Sequence, residues 1–188
     1  MRVRNEVHEA VSGAVQEIKA LAEEENSPCW CPLCEADVTA LSMTILPPRY
    51  STAVFGGISA GADGHNPVRS ALSTSLRRVD RSPNHPRSSP ELRSARINVI
   101  NYAYDEGTAL LSGFRERGEL PCGCDECLAD TLAYSLNRYP PKYGVLRGGR
   151  ANLPPYQRDF MRHELGVIIS HALNIVASSP RHGYSRAV

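Results

Sequence analysis

PCGCDECLADTLAYSLNRYPPKY, residues 121–143, contains three of the six cysteines of the chain. The cysteines follow a C-x-C-x-x-C spacing, an aspartate stands three residues later, and the segment closes on two prolines, one more residue and a tyrosine. An earlier segment, PCWCPLCEADVTALSMTILPPRY at residues 28–50, has the same design. The two align without a gap at an offset of 93 residues, and ten of the 22 positions from first cysteine to tyrosine are identical. This similarity predicts a tandem duplication.

The duplication predicts two small domains in the 188-residue chain. We expect the first domain at residues 4–81 and the second at residues 96–182. Residues 82–95 are rich in proline, serine and arginine and are expected to form the linker. A domain of this size has a modest hydrophobic core, so a bound metal ion can add usefully to its stability.

Charge and hydropathy exclude several classes of protein. The formal net charge is +1, which gives no general attraction to nucleic acid or to anionic lipid. The N-terminal residues lack an apolar signal region, and no apolar run approaches the ~20 residues of a membrane span. Cysteines at this spacing differ from a secreted disulfide scaffold, so we expect a soluble, cytoplasmic protein with reduced thiols. Knuckles that bind single strands carry aromatic and basic residues between their cysteines, and here Trp30 is the only such residue. This argues against nucleic-acid binding.

Hydrophobic periodicity predicts a mainly helical fold with minor β structure. Helices are expected at residues 5–21, 36–46, 68–79, 128–139 and 160–178, a strand and turn at 143–150, and a mobile loop at 51–66. The proline pairs end the helices that follow the cysteines. At the offset of 93, Asn5 matches Asn98, and each is predicted to cap a helix. The apolar faces of those two helices are predicted to be Val7, Ala10, Val11, Ala14, Ile18 and Leu21 in the first half, and Ile100, Ala103, Tyr104, Gly107, Leu111 and Phe114 in the second.

Three thiolates at this spacing favour a zinc site, for which each half must find a fourth ligand elsewhere. In the second half we favour His182, which follows the last predicted helix, over His163 and His171. In the first half His85 is the nearby candidate. A structural zinc is favoured over a catalytic or redox centre, because the H-x-E, P-C-x-x-C and H-E-x-x-H patterns of zinc enzymes are absent. The predicted metal ligands, for a protein that we expect not to be an enzyme, are Cys29, Cys31, Cys34 and His85, and Cys122, Cys124, Cys127 and His182.

These motifs resemble the late competence development protein ComFB family, whose hallmark is C-x-C-x-x-C-x-x-D, a helix and a P-P-x-Y close. Both halves carry the hallmark, with the aspartate at Asp37 and Asp130. The second half also has the Ser-Leu-Asn run before its prolines, whereas Thr44 replaces this asparagine in the first half. The resemblance implies a small helical zinc-containing domain that associates in pairs. A fused duplicate is therefore expected to imitate the pair within one chain, as two zinc-knuckle domains related by pseudo-two-fold symmetry.

The resemblance also implies a receptor for cyclic dinucleotides, chiefly cyclic di-GMP. The alternative is a zinc-stabilised protein-interaction module without a small ligand, with a role in competence, motility or development. The identity of the ligand, the protein partner and any further dimerisation stay open at this point. For the tyrosines, packing beneath the metal site is the alternative to ligand binding. Arginine and tyrosine suit phosphates and guanine faces, and the candidate ligand-binding residues are Arg49, Tyr50, Lys142, Tyr143, Arg147 and Arg150.

Overall fold

A computed structural model of the chain describes residues 2–22, 29–52, 66–86, 96–147 and 153–180. The fold is mainly helical with two small antiparallel sheets, as predicted. In chain order the elements of the first half are β1 (Arg4–Asn5), α1 (Glu6–Ala22), α2 (Pro32–Ile45), β2 (Tyr50–Ser51) and α3 (Pro67–Arg81). Those of the second half are β3 (Ile97–Asn101), α4 (Tyr102–Glu116), α5 (Asp125–Leu136), β4 (Tyr143–Arg147) and α6 (Pro155–Ser178).

Helices α2 and α5 begin inside the cysteine motifs, before the starts predicted from periodicity. Cys31 and Cys124 occupy the N-cap positions in extended conformation. The Sγ of Cys124 accepts a hydrogen bond from the Cys127 amide at 3.4 Å, and Pro32 stands in the first turn of α2, where its missing N–H costs nothing. Capping rules locate helix starts at Ser, Thr, Asp or Asn, and cysteine is not among these residues. The earlier starts of α2 and α5 were therefore not predicted.

The predicted start of the first helix of the second half, at Asn98, is wrong. Asn98 lies within β3, and Asn101 caps α4 by accepting a hydrogen bond from the Tyr104 amide at 3.1 Å. Asn5 makes the equivalent bond to the His8 amide at 3.1 Å. Asn5 therefore corresponds to Asn101, three residues later than Asn98, because the first half has three more residues between its cap and its cysteines. With this shift the buried residues match in steps: Val7, Val11 and Val15 in α1, and Ala103, Gly107 and Leu111 in α4.

Two apolar residues near helix ends are exposed, and one of them, Leu21, was predicted to face the core. Leu21 near the end of α1 is 73% exposed, and Ile45 at the end of α2 is 54% exposed. Both stand in the last turn of their helices. The predicted loop at 51–66 and the turn at Gly148 and Gly149 lie almost wholly outside the described residues.

Each half has its own hydrophobic core, and each core takes a tyrosine from the other half. β1 pairs with β2, and β3 pairs with β4. Tyr50 of β2 is buried in the core formed by α4, α5 and α6, while Tyr143 of β4 packs against the core formed by α1, α2 and α3. β3 and β4 lie on α2, and β2 lies on α5. The contact between the halves is thus carried by strands of one half that lie on the second helix of the other. No helix among the described residues combines the length and apolar character needed to cross a membrane.

Candidate functional site

The first cysteine cluster brings together the four side chains that were predicted as ligands. The ligand atoms of Cys29, Cys31, Cys34 and His85 all lie within 4.8 Å of one another. His85 Nε2 is 3.7 Å from the Cys29 sulfur, 3.3 Å from that of Cys31 and 3.1 Å from that of Cys34. His85 comes from the stretch predicted as the linker, so at least its first residues fold back onto α2. This set can hold a metal ion.

The hydrogen bond at the other ring nitrogen of His85 orients the imidazole for such a role. Its Nδ1 lies 2.7 Å from the Pro86 carbonyl oxygen, which accepts only, so Nδ1 carries the proton. The Nε2 lone pair then faces the three sulfurs. A backbone carbonyl that fixes the tautomer in this way is the usual support of a metal-bound histidine.

The second cysteine cluster has the same three-sulfur arrangement at the start of α5. The sulfurs of Cys122, Cys124 and Cys127 lie within 4.8 Å of one another. His182 lies outside the described residues, so its role as fourth ligand stays a prediction. The two rivals on α6 are exposed and stand outside this cluster, and the ring of His171 instead lies 6.3 Å from that of Tyr134.

Burial makes the innermost thiol of each cluster hard to ionise without a cation. Burial, with the neighbouring Cys31 and Cys29, raises the pKa of Cys34 far above its usual range. Burial and the thiols of Cys124 and Cys122 raise the pKa of Cys127 to about 12. Because a metal binds the thiolate, metal loading must displace these protons, and affinity for the metal rises with pH.

A compact group of two tyrosines and two asparagines joins the halves. The hydroxyl oxygens of Tyr50 and Tyr143 are 3.1 Å apart. The Asn5 amide donates to Tyr143 Oη at 2.6 Å, and the Asn101 amide donates to Tyr50 Oη. Both asparagines also cap the first helix of their half. The group therefore ties β2 and β4 to the starts of α1 and α4. It was not predicted from the sequence, although the occurrence of a tyrosine at the same position of both repeats was a signal.

Asn137 at the end of α5 holds the main chain of Tyr50. Its Oδ1 accepts from the Tyr50 amide at 2.7 Å, and its Nδ2 donates to the Tyr50 carbonyl at 2.9 Å. Thr44, at the equivalent position of α2, instead donates its hydroxyl to the Ala40 carbonyl of its own helix. The substitution noted in the sequence thus removes one clamp between the halves.

Two clefts flank this contact, and each is lined by both halves. The first, which we call the Tyr134 cleft, has a volume of about 340 Å³. The second, the Leu41 cleft, has a volume of about 460 Å³. The Tyr134 cleft is lined by the β2 segment at Tyr50, Ser51 and Thr52, by α5 at Asp130, Ala133, Tyr134, Asn137 and Arg138, and by Ile175, Val176 and Ser179. The Leu41 cleft is lined by β4 at Tyr143, Gly144 and Val145, by α2 at Leu33, Asp37, Ala40, Leu41 and Thr44, and by Arg78, Val79, Ser82 and Asn84.

The motif aspartates lie in these clefts. Asp130 accepts a hydrogen bond from the Thr52 hydroxyl at 2.8 Å, across the contact between the halves. Asp37 accepts from the Asn84 amide at 2.9 Å, within the first half. Asp37 thereby positions the residue next to His85, which links the C-x-C-x-x-C-x-x-D pattern to the metal cluster.

The remaining ligand candidates have different surroundings. Arg49 and Lys142 are exposed, and their carbonyl oxygens accept from the first amides of α1 and α4. Arg150 and the linker arginines from residue 87 onward lie outside the described residues, and the side chain of Arg147 is not described either. Tyr50 is 7% exposed, so its ring is a wall of the Tyr134 cleft rather than a free stacking surface. Ligand binding by this set stays a prediction.

The fold and the cysteine cluster of the second half define a class of small helical domains organised around a candidate metal centre. Residues 106–180 match the family model of the late competence development protein ComFB. This part of the chain is a ComFB-family domain, as the motifs predicted. The match does not extend to the first half, so the duplication stays a prediction. No curated protein and no solved structure matches the chain.

Proposed function

We propose that this chain is a non-enzymatic regulatory protein of the cytoplasm that receives a cyclic dinucleotide, cyclic di-GMP first, between two zinc-containing halves. The observation that carries the proposal is the pair of clefts at the contact between the halves, each lined by one half's P-P-x-Y strand and the other half's second helix. A ligand in such a cleft touches both halves at once. Its binding can therefore alter how they pack, which is what a receptor needs.

Zinc suits the donor set better than harder cations, because thiolate and imidazole are its usual ligands. Zinc–sulfur bonds of about 2.3 Å and zinc–nitrogen bonds of about 2.0 Å in a tetrahedron place sulfur and nitrogen roughly 3.5 Å apart. The separations in the first cluster are 3.1–3.7 Å. Bound zinc would supply folding energy to each half. The cysteines are occupied as ligands in this assignment, which supports a structural rather than a catalytic role.

The two halves are proposed to be duplicated domains related by a pseudo-two-fold axis through the Tyr50–Tyr143 contact. The order strand, helix, helix, strand, helix occurs twice, and the tyrosine–asparagine group contains one member of each kind from each half. Such a chain imitates a homodimer within one polypeptide. The family name suggests competence as the process that the protein regulates.

A second candidate function is a protein-interaction module without a small ligand. One face of α6 favours it, because Tyr156, Phe160 and Val167 follow at helical spacing and are 70%, 63% and 62% exposed. The positions matching Phe160 and Val167 in α3 are Pro67 and Thr74. The apolar face is thus a property of the second half alone.

A thermal-shift experiment on the zinc-loaded full chain separates the two candidates. Cyclic di-GMP at about a hundred times its Kd should stabilise the folded state by about 2.7 kcal/mol, and raise Tm by roughly 5–10 °C. The linear dinucleotide pGpG serves as the matched control, since it has the same bases without the ring closure. No shift with cyclic di-GMP at millimolar concentration, in protein shown to carry zinc, would reject the receptor function.

A further inference from the structure

We propose that the Tyr134 cleft alone binds the base and phosphate of a nucleotide, so that the chain takes one ligand rather than one in each cleft. The inference rests on the proposed receptor function and adds to it a site, a stoichiometry and an asymmetry between the halves. It is carried by a stacked pair of side chains that only one cleft contains.

The pair consists of Tyr134 and Arg138, one turn apart on α5. The guanidinium carbon of Arg138 lies 3.4 Å from the centroid of the Tyr134 ring. Arg138 also donates to the Tyr134 carbonyl at 3.3 Å, which holds the side chain along its own helix. Both residues line the cleft, and Arg138 is exposed. The guanidinium plane is therefore already positioned over the aromatic ring before any ligand arrives.

A stacked guanidinium recognises nucleotides through its face and its edge. Its outer face stacks on a planar base, and its N–H groups at the edge pair with phosphate oxygens. The cleft volume of about 340 Å³ is at the lower end of the range for small-molecule sites, which suits one base with its sugar and phosphate. The second half of a cyclic dinucleotide would extend out of the cleft.

The opposite wall of the cleft comes from the other half of the chain. Asn137 fixes the main chain at Tyr50, and the Thr52 hydroxyl donates to Asp130. These bonds hold β2 at a set distance from the Tyr134–Arg138 pair. A ligand stacked on the pair is thus confined against β2, which gives the site its contact with both halves.

The Leu41 cleft has lost the stacking pair. Leu41 and Ile45 stand at the positions of Tyr134 and Arg138, and Thr44 replaces Asn137. The hydroxyl of its lining aromatic residue, Tyr143, accepts from the Asn5 amide and shares a hydrogen bond with Tyr50. Arg78 supplies a positive charge there, so a bare phosphate finds attraction in either cleft. Among the described lining residues, a stacking platform for a planar base occurs in the Tyr134 cleft alone.

Isothermal titration of the zinc-loaded full chain with cyclic di-GMP and with GMP tests the assignment. We expect one ligand per chain, and affinity about tenfold lower or worse in Arg138→Ala and in Tyr134→Leu, the second of which copies the residue of the other cleft. Arg78→Ala is the matched control, because it removes the same charge from the Leu41 cleft, and it should change affinity less than about twofold. Zinc content and Tm confirm that each variant is folded.

The outcomes separate the cleft from the receptor function. Two cyclic di-GMP molecules bound per chain, or equal losses of affinity in Arg138→Ala and Arg78→Ala, would contradict the assignment of the site to the Tyr134 cleft. The receptor function would then still hold. Binding of GMP that depends on Arg138, without binding of cyclic di-GMP, rejects the receptor function and keeps the cleft. If neither nucleotide binds, both are wrong.

Discussion

At the scale of single residues, the phenol of Tyr50 shows how a buried polar group can join two halves of a chain. Burial, and then the hydrogen bond with Tyr143, raise the pKa of Tyr50 well above its ordinary value. An unfolded tyrosine titrates near pH 10, so above that pH the unfolded chain loses a proton that the folded chain keeps. The unfolded state then binds fewer protons, and the stability that the neutral phenol contributes falls as pH rises beyond about 10.

Tyr50→Phe should lower stability at neutral pH by about 1–2 kcal/mol, because the Asn101 amide loses the shorter of its two hydrogen bonds to the tyrosine hydroxyls. It should also lessen the loss of stability between pH 9 and pH 11. Urea unfolding at pH 7, 9 and 11 measures both effects, with Tyr156→Phe as a control at a residue that is 70% exposed. If the free energy of unfolding depends on pH in the same way in Tyr50→Phe and in the unaltered chain, the buried phenol of Tyr50 is not the source of the loss at high pH.

Asn137 and Thr44 allow a matched comparison of one clamp with its missing counterpart. Asn137→Ala removes two hydrogen bonds to the Tyr50 main chain and should cost roughly 2–3 kcal/mol. Thr44→Ala removes a bond within its own helix and should cost less than about 1 kcal/mol. Chemical denaturation gives the two values, and equal costs would show that the amide does not clamp the halves.

The histidine assignments are tested by the zinc content of purified variants. The unaltered chain should carry two zinc ions, and His85→Ala should lose most of one because three thiolates remain without their fourth partner. His182→Ala should lose the other, whereas the exposed His163 can be replaced without loss. Full retention of two ions by His85→Ala after dialysis against a chelator would contradict the first centre.

At the scale of elements, the cysteine motif and its proline close predicted α2 and α5, while the start of α4 was placed incorrectly. Ile100 satisfies a helical apolar stripe when it is aligned at the repeat offset, but the alternation of Ile97, Asn98 and Val99 suits a strand. β3 forms because β4 offers it five paired positions. That partner comes from more than 40 residues away in the sequence, and periodicity within one segment carries no information about it.

Two glycines on the first helices should respond to alanine in opposite ways. A Cβ on Gly107 would lie 2.9 Å from Leu132 Cδ1, so Gly107→Ala must displace α5 or the Leu132 side chain. The substitution should destabilise the folded protein by about 1–3 kcal/mol. A Cβ on Gly13 meets nothing within 4 Å, so Gly13→Ala should stabilise α1 by about 0.5–1 kcal/mol. Thermal unfolding measures both, and stabilisation by Gly107→Ala would contradict the close packing of α4 on α5.

At the scale of the whole molecule, the repeat predicted two similar halves with a cysteine cluster in each, and His85 lies beside the first cluster. The contact between the halves could not be predicted in the same way. It depends on Tyr50 and Tyr143 crossing into the opposite core, and on Asn137 reaching a main chain 87 residues earlier. Those bonds depend on how the halves meet in space, whereas motif spacing describes only one half at a time.

Amide hydrogen exchange of the zinc-loaded full chain, with and without cyclic di-GMP, tests most directly that the ligand is held between the halves. We expect slower exchange on binding at residues 50–52 of the first half and at residues 134–138 of the second half together, with little change at residues 41–45, which match 134–138. Protection confined to one half, or equal protection at 41–45 and 134–138, would contradict it.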